Sequence, residues 1–454
     1  MARQLFGTDG IRGVAGQYPL DEPTVFAIGQ ALGTRLRSAS QYQRVVIGQD
    51  TRESSHWIAN TVAAGLLSAG IEVKSAGVIT TPGVAFLARN DRFGAGIVVS
   101  ASHNPWMDNG IKVFSADGFK LPDEVEHQIE AEIFQLLGNK AGPRAAAEFR
   151  SLPGSTELHQ DYVGWLAQQV AGTSLRDMRV LVDCANGAAS AVAPDVFSAC
   201  GVQAKFLHYS PDGRNINRDC GALHPETVAL AVAAESGHYD LGITFDGDAD
   251  RALFSDAAGR VVNGDAVLLL AGRDMQARGV LNGSLVVATT MSNMGLETAL
   301  RRSGIQMLRA PVGDKYVLEE MLKHGSTLGG EQSGHIIFRD GDATTGDGLL
   351  TALRVLQVMA RSGKPLADLV ADLKVFPQVI KNVRVREKKP LMAVPEVASA
   401  IKNAEQELDG NGRVVVRYSG TEALARVMVE AEDEVRMQRL ADAIAAAIQQ
   451  ALGA

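Results

Sequence analysis

The stretch Val98-Val-Ser-Ala-Ser-His-Asn-Pro-Trp-Met-Asp-Asn-Gly-Ile-Lys-Val-Phe114 decides how the rest of the chain is read. Two valines end an apolar run that reads as a buried strand. A polar loop follows, and Ile111-Lys-Val-Phe114 reads as the next strand. Ser, Asn, Pro and Gly are turn formers, so an ordinary turn is one reading. The other is a nucleophile on a loop at a strand end, with basic side chains beside it. The same grammar recurs outward from this stretch. The apolar runs Arg44–Gly48, Arg179–Asp183 and Leu285–Ala288 each lead through a polar or Gly-containing loop into a helical pattern. Such alternation marks βα units around a mostly parallel sheet.

Three stretches share a looser pattern: a polar loop, a short strand, a tight turn and then a helix. They are Ser100 to Phe114, Asp246 to Phe254 and Glu331 to Phe338. This predicts three related α/β domains with mixed sheets, each offering one loop where ligands of open α/β sheets collect. Beyond residue 372 the pattern changes to strand-rich segments and a long amphipathic helix, Glu434 to Leu452, which predicts a smaller C-terminal α+β domain behind a hinge. The expected division is 1–155, 156–257, 258–371 and 372–454.

Composition narrows the function. The chain has 454 residues, 46% apolar and 21% charged, which suits several soluble cores. A net charge of −8 and an aromatic content of 5% argue against a nucleic-acid partner. No apolar run is long enough to span a bilayer, and the N-terminal residues lack a signal peptide's apolar segment, so no membrane partner and a cytoplasmic location are expected. Cys184, Cys200 and Cys220 are odd in number, show no metal-ligand spacing and read as reduced thiols.

Four loops carry candidate chemistry. In Asp246-Gly-Asp-Ala-Asp-Arg251 three carboxylates alternate, so an extended segment puts them on one side, where only a cation relieves their repulsion. An EF-hand is excluded, because its sixth and twelfth positions would be Arg251 and Ala257. A compact all-oxygen set suits Mg²⁺. In Arg417-Tyr-Ser-Gly-Thr-Glu422 a turn of backbone N–H groups beside an arginine suits a phosphate. Glu331 and Ser333 of Gly329–His335 can bind hydroxyls, and His335 can donate to an oxygen; a plain glycine-rich loop is the equal alternative. Phe6–Gly13 with its Arg12, Gly48–Arg52 and Asp183–Gly187 read as structural turns.

Taken together in this order, Ser100–Pro105, Asp246–Arg251, Gly330–His335 and Arg417–Glu422 resemble the phosphoserine, metal, sugar and phosphate loops of the α-D-phosphohexomutase superfamily. The resemblance covers nearly the whole chain. Phe6–Gly13, Asp108–Lys112, Asn215–Gly221 with His224–Glu226, and Glu331-Gln332 are similar to the bacterial branch acting on glucosamine phosphates. Tyr418 and Ala423 depart from the prolines usual in the phosphate loop, and both changes loosen that turn.

The resemblance implies three α/β domains and a fourth around a central cleft, Mg²⁺, and often a homodimer. It implies that Ser102 carries a phosphoryl group as phosphoserine, while Ser100 is structural. Asp246, Asp248, Asp250 and phosphorylated Ser102 would hold the metal. His103 and Arg251 would add positive potential, Lys112 would exchange a proton with a sugar hydroxyl, and Arg12 would assist. Glu331, Ser333 and His335 would meet the sugar, and Arg417, Ser419, Gly420 and Thr421 its nonreacting phosphate. The implied reaction interconverts glucosamine 6-phosphate and glucosamine 1-phosphate through glucosamine 1,6-bisphosphate, towards UDP-N-acetylglucosamine and cell-wall precursors. The C-terminal domain would close over the sugar to exclude water. The rivals are the same chemistry on glucose or mannose phosphates, a metal-dependent phosphatase, and a noncatalytic sugar-phosphate sensor.

Overall fold

The computed structural model describes residues 5–7, 9–90, 92–138, 153–341, 343–419 and 423–453. By compactness the chain falls into two units, Met1–Met291 with Ile305–Ala371, and Ser292–Gly304 with Asp372–Ala454.

In the first unit three mixed sheets repeat one plan. Glu72–Val78, Arg44–Gln49 and Ala95–Val99 run parallel, and Asp108–Ser115 returns antiparallel beside Ala95–Val99. Gly10–Val14 and Phe6–Gly7 extend that edge. Gln203–Leu207, Arg179–Asp183 and Leu241–Phe245 repeat the parallel trio, with Ala252–Asp256 as the antiparallel return and Val261–Val262 beyond it. Gln306–Ala310, Leu285–Thr289 and Leu328–Gly330 form the third trio, with Ile336–Phe338 as the return. The three candidate loops of this unit therefore hold one topological place. Each joins the last parallel strand of its trio to the antiparallel return.

Burial explains why these runs became strands. Ala95–Val99 and Leu241–Phe245 are buried at every position, as strands covered on both faces must be. In the first sheet Val45, Ile47, Ile97 and Val99 pack with Val25, Ile28, Ile58, Val62, Ile129 and Ile133 from three helices, Glu22–Ala39, Ser55–Ser68 and Asp123–Gly138. About 25 cal/mol per Å² of buried apolar surface favours that arrangement, and it fixes the strand end that carries Ser102.

The second unit is a three-stranded antiparallel sheet with Leu424–Ala431 between Gln378–Arg384 and Gly412–Tyr418. Here burial alternates along Leu424–Val429, as expected for one covered face. Pro395–Leu408 and Glu434–Leu452 bury Val397, Ile401, Ile444 and Ile448 with Val427 and Val429. The helix Met294–Arg302 also belongs to this unit. Its first backbone N–H donates to Glu430 Oε1 at 2.8 Å, and Glu430 pairs with Arg413. Among the described residues no helix is long and apolar enough to cross a membrane.

Candidate active site

Ser102 follows Ala95–Val99 with φ 51°, the left-handed region that costs a non-glycine residue about 1–2 kcal/mol. Buried partners hold it there. Its N–H donates to Ser100 Oγ at 3.0 Å, and Ser100 Oγ donates to Asp50 Oδ2 at 2.6 Å. Asp50 also accepts Ser55 Oγ at 2.6 Å and pairs with Arg52, both side chains fully buried. The Arg52 guanidinium then grips the loop. It donates to Ser102 O at 2.8 Å, to Asn104 O at 2.9 Å and to Pro105 O at 3.2 Å. Asn217 Nδ2 donates to the same Ser102 O at 2.9 Å. Only a glycine fits at 247, where a Cβ would fall 2.4 Å from Ser102 O. Held from every side, Ser102 Oγ donates to Asp246 Oδ2 at 2.6 Å and lies 3.2 Å from His103 Nδ1.

Asp246, Asp248 and Asp250 are buried, with ligand oxygens within 4.8 Å of one another. Asp246 Oδ1 accepts Arg251 N–H at 3.1 Å. Asp248 Oδ2 accepts Thr81 Oγ1 at 2.6 Å and Lys112 Nζ at 2.8 Å. Asp248 Oδ1 and Asp250 Oδ1 are buried without a hydrogen-bond partner among the described residues. Burial first, then Asp250 and Asp248, push the Asp246 carboxyl well above its ordinary pKa. Clustered carboxylates with orphaned oxygens fit a small divalent cation that takes oxygen ligands, and Mg²⁺ meets that description.

Lys112 does not point outward from its strand. It is 2% exposed, and Nζ lies 2.8 Å from Asp248, 3.0 Å from Asp9 and 3.7 Å from Asp250. Burial pulls its pKa down, but Asp248, Asp9 and Asp250 outweigh burial and hold the ammonium well above its ordinary value. Asp9 also pairs with Arg12 and with Lys120 at 2.6 Å, and Lys120 reaches Asp314 at 2.6 Å. The N-terminal turn thus brings a carboxylate that went unnoticed in the sequence, besides Arg12, whose Nη1 lies 3.3 Å from Asn104 Oδ1. At His103 burial first, then the cations Arg251 and Arg12, lower the pKa and favour the neutral ring.

The loop Glu331 to His335 sits at the same cavity. Glu331 Oε1 accepts Gly313 N–H at 3.0 Å, and Ser333 Oγ donates to Glu331 Oε2 at 3.4 Å. His335 is buried 3.7 Å from Asp250 and from Asp314. Gly346 N–H donates to Nε2 at 3.1 Å, which requires that nitrogen bare, whereas Asp250 and Asp314, acting against burial, push the pKa up to about 9. The backbone contact is imposed by the fold, since a Cβ on Gly346 would fall 2.4 Å from Nε2. We therefore assign the neutral ring. Asp9, Arg12, His103, Arg251, Glu331 and His335 line a cavity of about 430 Å³, the size of a small-molecule site. A larger cavity of about 560 Å³, bordered by Leu32, Leu36, Val125 and Ile129, holds none of these groups.

In the second unit Arg417 lies near the end of Gly412–Tyr418, exposed and without an ion pair among the described residues. Ser419 is buried. Its N–H donates to Leu424 O at 2.8 Å, and its carbonyl accepts Lys388 Nζ at 2.7 Å. The Tyr418 hydroxyl donates to Lys389 O at 2.6 Å. Gly420 and Thr421 lie outside the described residues.

The family described as phosphoglucomutase/phosphomannomutase matches in four parts: its alpha/beta/alpha domains I, II and III over residues 3–139, 160–259 and 263–376, and its C-terminal domain over 380–447. A phosphoglucosamine mutase from Koribacter versatilis is 66% identical over 452 residues, covering 99% of this chain and 98% of that protein. Among solved structures, a phosphoglucomutase/phosphomannomutase family protein from Burkholderia thailandensis superposes with a TM-score of 0.77 at 25% identity, covering 98% of this chain and 99% of the other. The N-acetylphosphoglucosamine mutase of Aspergillus fumigatus, solved with GlcNAc-6P and magnesium, shares the fold with a TM-score of 0.63 at 18% identity, covering 99% and 96%.

Proposed function

We propose that this chain, which belongs to the phosphoglucomutase/phosphomannomutase family of the α-D-phosphohexomutase superfamily, interconverts glucosamine 6-phosphate and glucosamine 1-phosphate through a phosphorylated Ser102. The observation that carries the chemistry is Ser102 Oγ, locked in a strained backbone 2.6 Å from Asp246. The choice of amino sugar is supported by the relative that is 66% identical and named phosphoglucosamine mutase.

In the proposed cycle the bond between phosphorus and Ser102 Oγ breaks as a bond from phosphorus to sugar O1 forms, giving glucosamine 1,6-bisphosphate. Lys112 is proposed to relay the O1 proton: its ammonium hands one of its own protons to a carboxylate neighbour, Asp9 at 3.0 Å or Asp248 at 2.8 Å, as the O1 proton takes its place. The bisphosphate then reorients, and Ser102 Oγ recovers a phosphoryl group from O6, leaving glucosamine 1-phosphate. Asp246, Asp248, Asp250 and the phosphorylated Ser102 would hold Mg²⁺, which when bound neutralises charge on the transferring phosphoryl oxygens. Arg12, His103 and Arg251 supply positive or hydrogen-bonding groups on the cavity wall. Glu331, Ser333 and His335 are proposed to meet the sugar, and Arg417, Ser419, Gly420 and Thr421 the phosphate that is not reacting. The exposed guanidinium of Arg417, without an ion pair among the described residues, supports that role.

We further propose the segments 1–155, 156–257, 258–371 and 372–454 as the phosphoserine, metal, sugar and phosphate parts of one cytoplasmic enzyme, with a homodimer as the setting the resemblance implies. Comparing kcat/KM on the 6-phosphates of glucosamine, glucose and mannose tests the substrate. A preference for glucosamine is expected, and a strong preference for mannose would overturn the assignment.

A further inference from the structure

Away from the cavity, three unlike ligand groups converge in the second sheet. Asp183 ends Arg179–Asp183, His208 follows Gln203–Leu207, and Cys220 precedes a short helical turn. Their ligand atoms lie within 4.8 Å of one another. Asp183 and Cys220 are fully buried, and the His208 side chain is 34% exposed.

The cluster is held ready rather than collected by chance. Asp183 is anchored by Ala185 N–H at 2.8 Å and Gly221 N–H at 3.1 Å, and a carboxylate with two such donors keeps lone pairs to spare. His208 has φ 45°, a conformation the surrounding fold has to hold. Its Nδ1 is buried 3.1 Å from Asp183 Oδ1 and pairs with it. Cys220 is a free cysteine.

We propose that Asp183, His208 and Cys220 form a second cation site, for a borderline-soft divalent ion of the zinc class, which staples the loop that delivers Asn217 to the Ser102 loop. Carboxylate, imidazole and thiolate together favour such an ion, whereas the all-oxygen Asp246 cluster favours a hard one. Three protein ligands leave a fourth position for water, and half-exposed His208 gives the ion a way in. Binding converts the Cys220 thiol to thiolate and releases one proton to solvent. The staple acts on the catalytic loop through short contacts. Asn186 N–H donates to His208 O at 2.6 Å and Asn217 N–H to Ala185 O at 2.9 Å, while Asn217 Nδ2 holds Ser102 O. Spacing along the chain hid this site, because each ligand comes from a different segment.

Co²⁺ titrated into the metal-free, full-length protein is the test, since a thiolate ligand gives a charge-transfer absorption that an all-carboxylate site cannot. One Co²⁺ per chain is expected to give this band, with Zn²⁺ abolishing it by displacement. The band disappears in Cys220→Ser and persists in Asp248→Asn. In His208→Gln, which alters the half-exposed ligand and keeps the thiol, Co²⁺ affinity falls by about tenfold or more. No band in the unaltered protein, a band that survives Cys220→Ser, or unchanged affinity in His208→Gln would each overturn the site.

Discussion

The Ser102 loop and the Arg417 turn are both proposed to handle phosphate, and they are built in opposite ways. Around Ser102 nearly every polar group is buried and answered. Asp50 holds Ser100 and Arg52, Arg52 and Asn217 hold the Ser102 carbonyl, and Asp246 takes the hydroxyl. Arg417 stands exposed with no ion pair among the described residues. The difference fits the two proposed tasks. A phosphoryl group that changes bonds needs an attacking atom fixed to a fraction of an ångström, so the loop is fixed by buried charge. A phosphate that is only held, and must come and go, needs a forked cation in water, where desolvation costs little.

Substitutions can break or sharpen that contrast. Ser102→Ala removes the carrier and leaves its scaffold, so turnover falls by about 10⁴-fold or more while the circular dichroism spectrum is unchanged. Appreciable turnover in that variant would remove Ser102 from the mechanism. Arg52→Met leaves Asp50 buried without its cation and is expected to cost about 3–5 kcal/mol in urea unfolding. Arg52→Lys should recover part of the stability but not the forked grip on Ser102 O and Asn104 O, so kcat stays low. Asp248→Asn is expected to weaken Mg²⁺ binding and lower kcat/KM together, each by about 100-fold or more; full activity in the presence of EDTA would contradict the acidic cluster's role. Arg417→Ala has the smallest expected effect, a KM raised by about tenfold with the melting temperature unchanged. A large loss of stability there would mean that Arg417 is structural after all, and the contrast would fail.

What was legible in the sequence was what is local. Asp246, Asp248 and Asp250 announce themselves because they alternate over five residues, and the Ser102 loop because two apolar strands frame it. The threefold repeat of a parallel trio with an antiparallel return was legible only in outline, from the order of strand, loop and turn. The partners were not legible, because buried pairing joins residues far apart in the chain. Arg52 sits in a turn that reads as ordinary, yet it carries the Ser102 loop 50 residues on. Asp9 pairs with Lys120 at a separation of 111 residues, and Thr81 with Asp248 at 167. Lys112 was the one hint available. A charged residue inside an apolar strand is costly unless paired, and such a residue predicts a buried carboxylate before the carboxylate can be named.

The central claim is that Ser102 Oγ lends and recovers the phosphoryl group. It is tested most directly by labelling the protein with ³²P, locating the label by peptide mapping, and chasing with unlabelled glucosamine 6-phosphate. The expected result is label on the Ser102 peptide before the chase and in hexosamine phosphates after it. Label that stays on the peptide through many turnovers, or that leaves only as inorganic phosphate, would contradict the account.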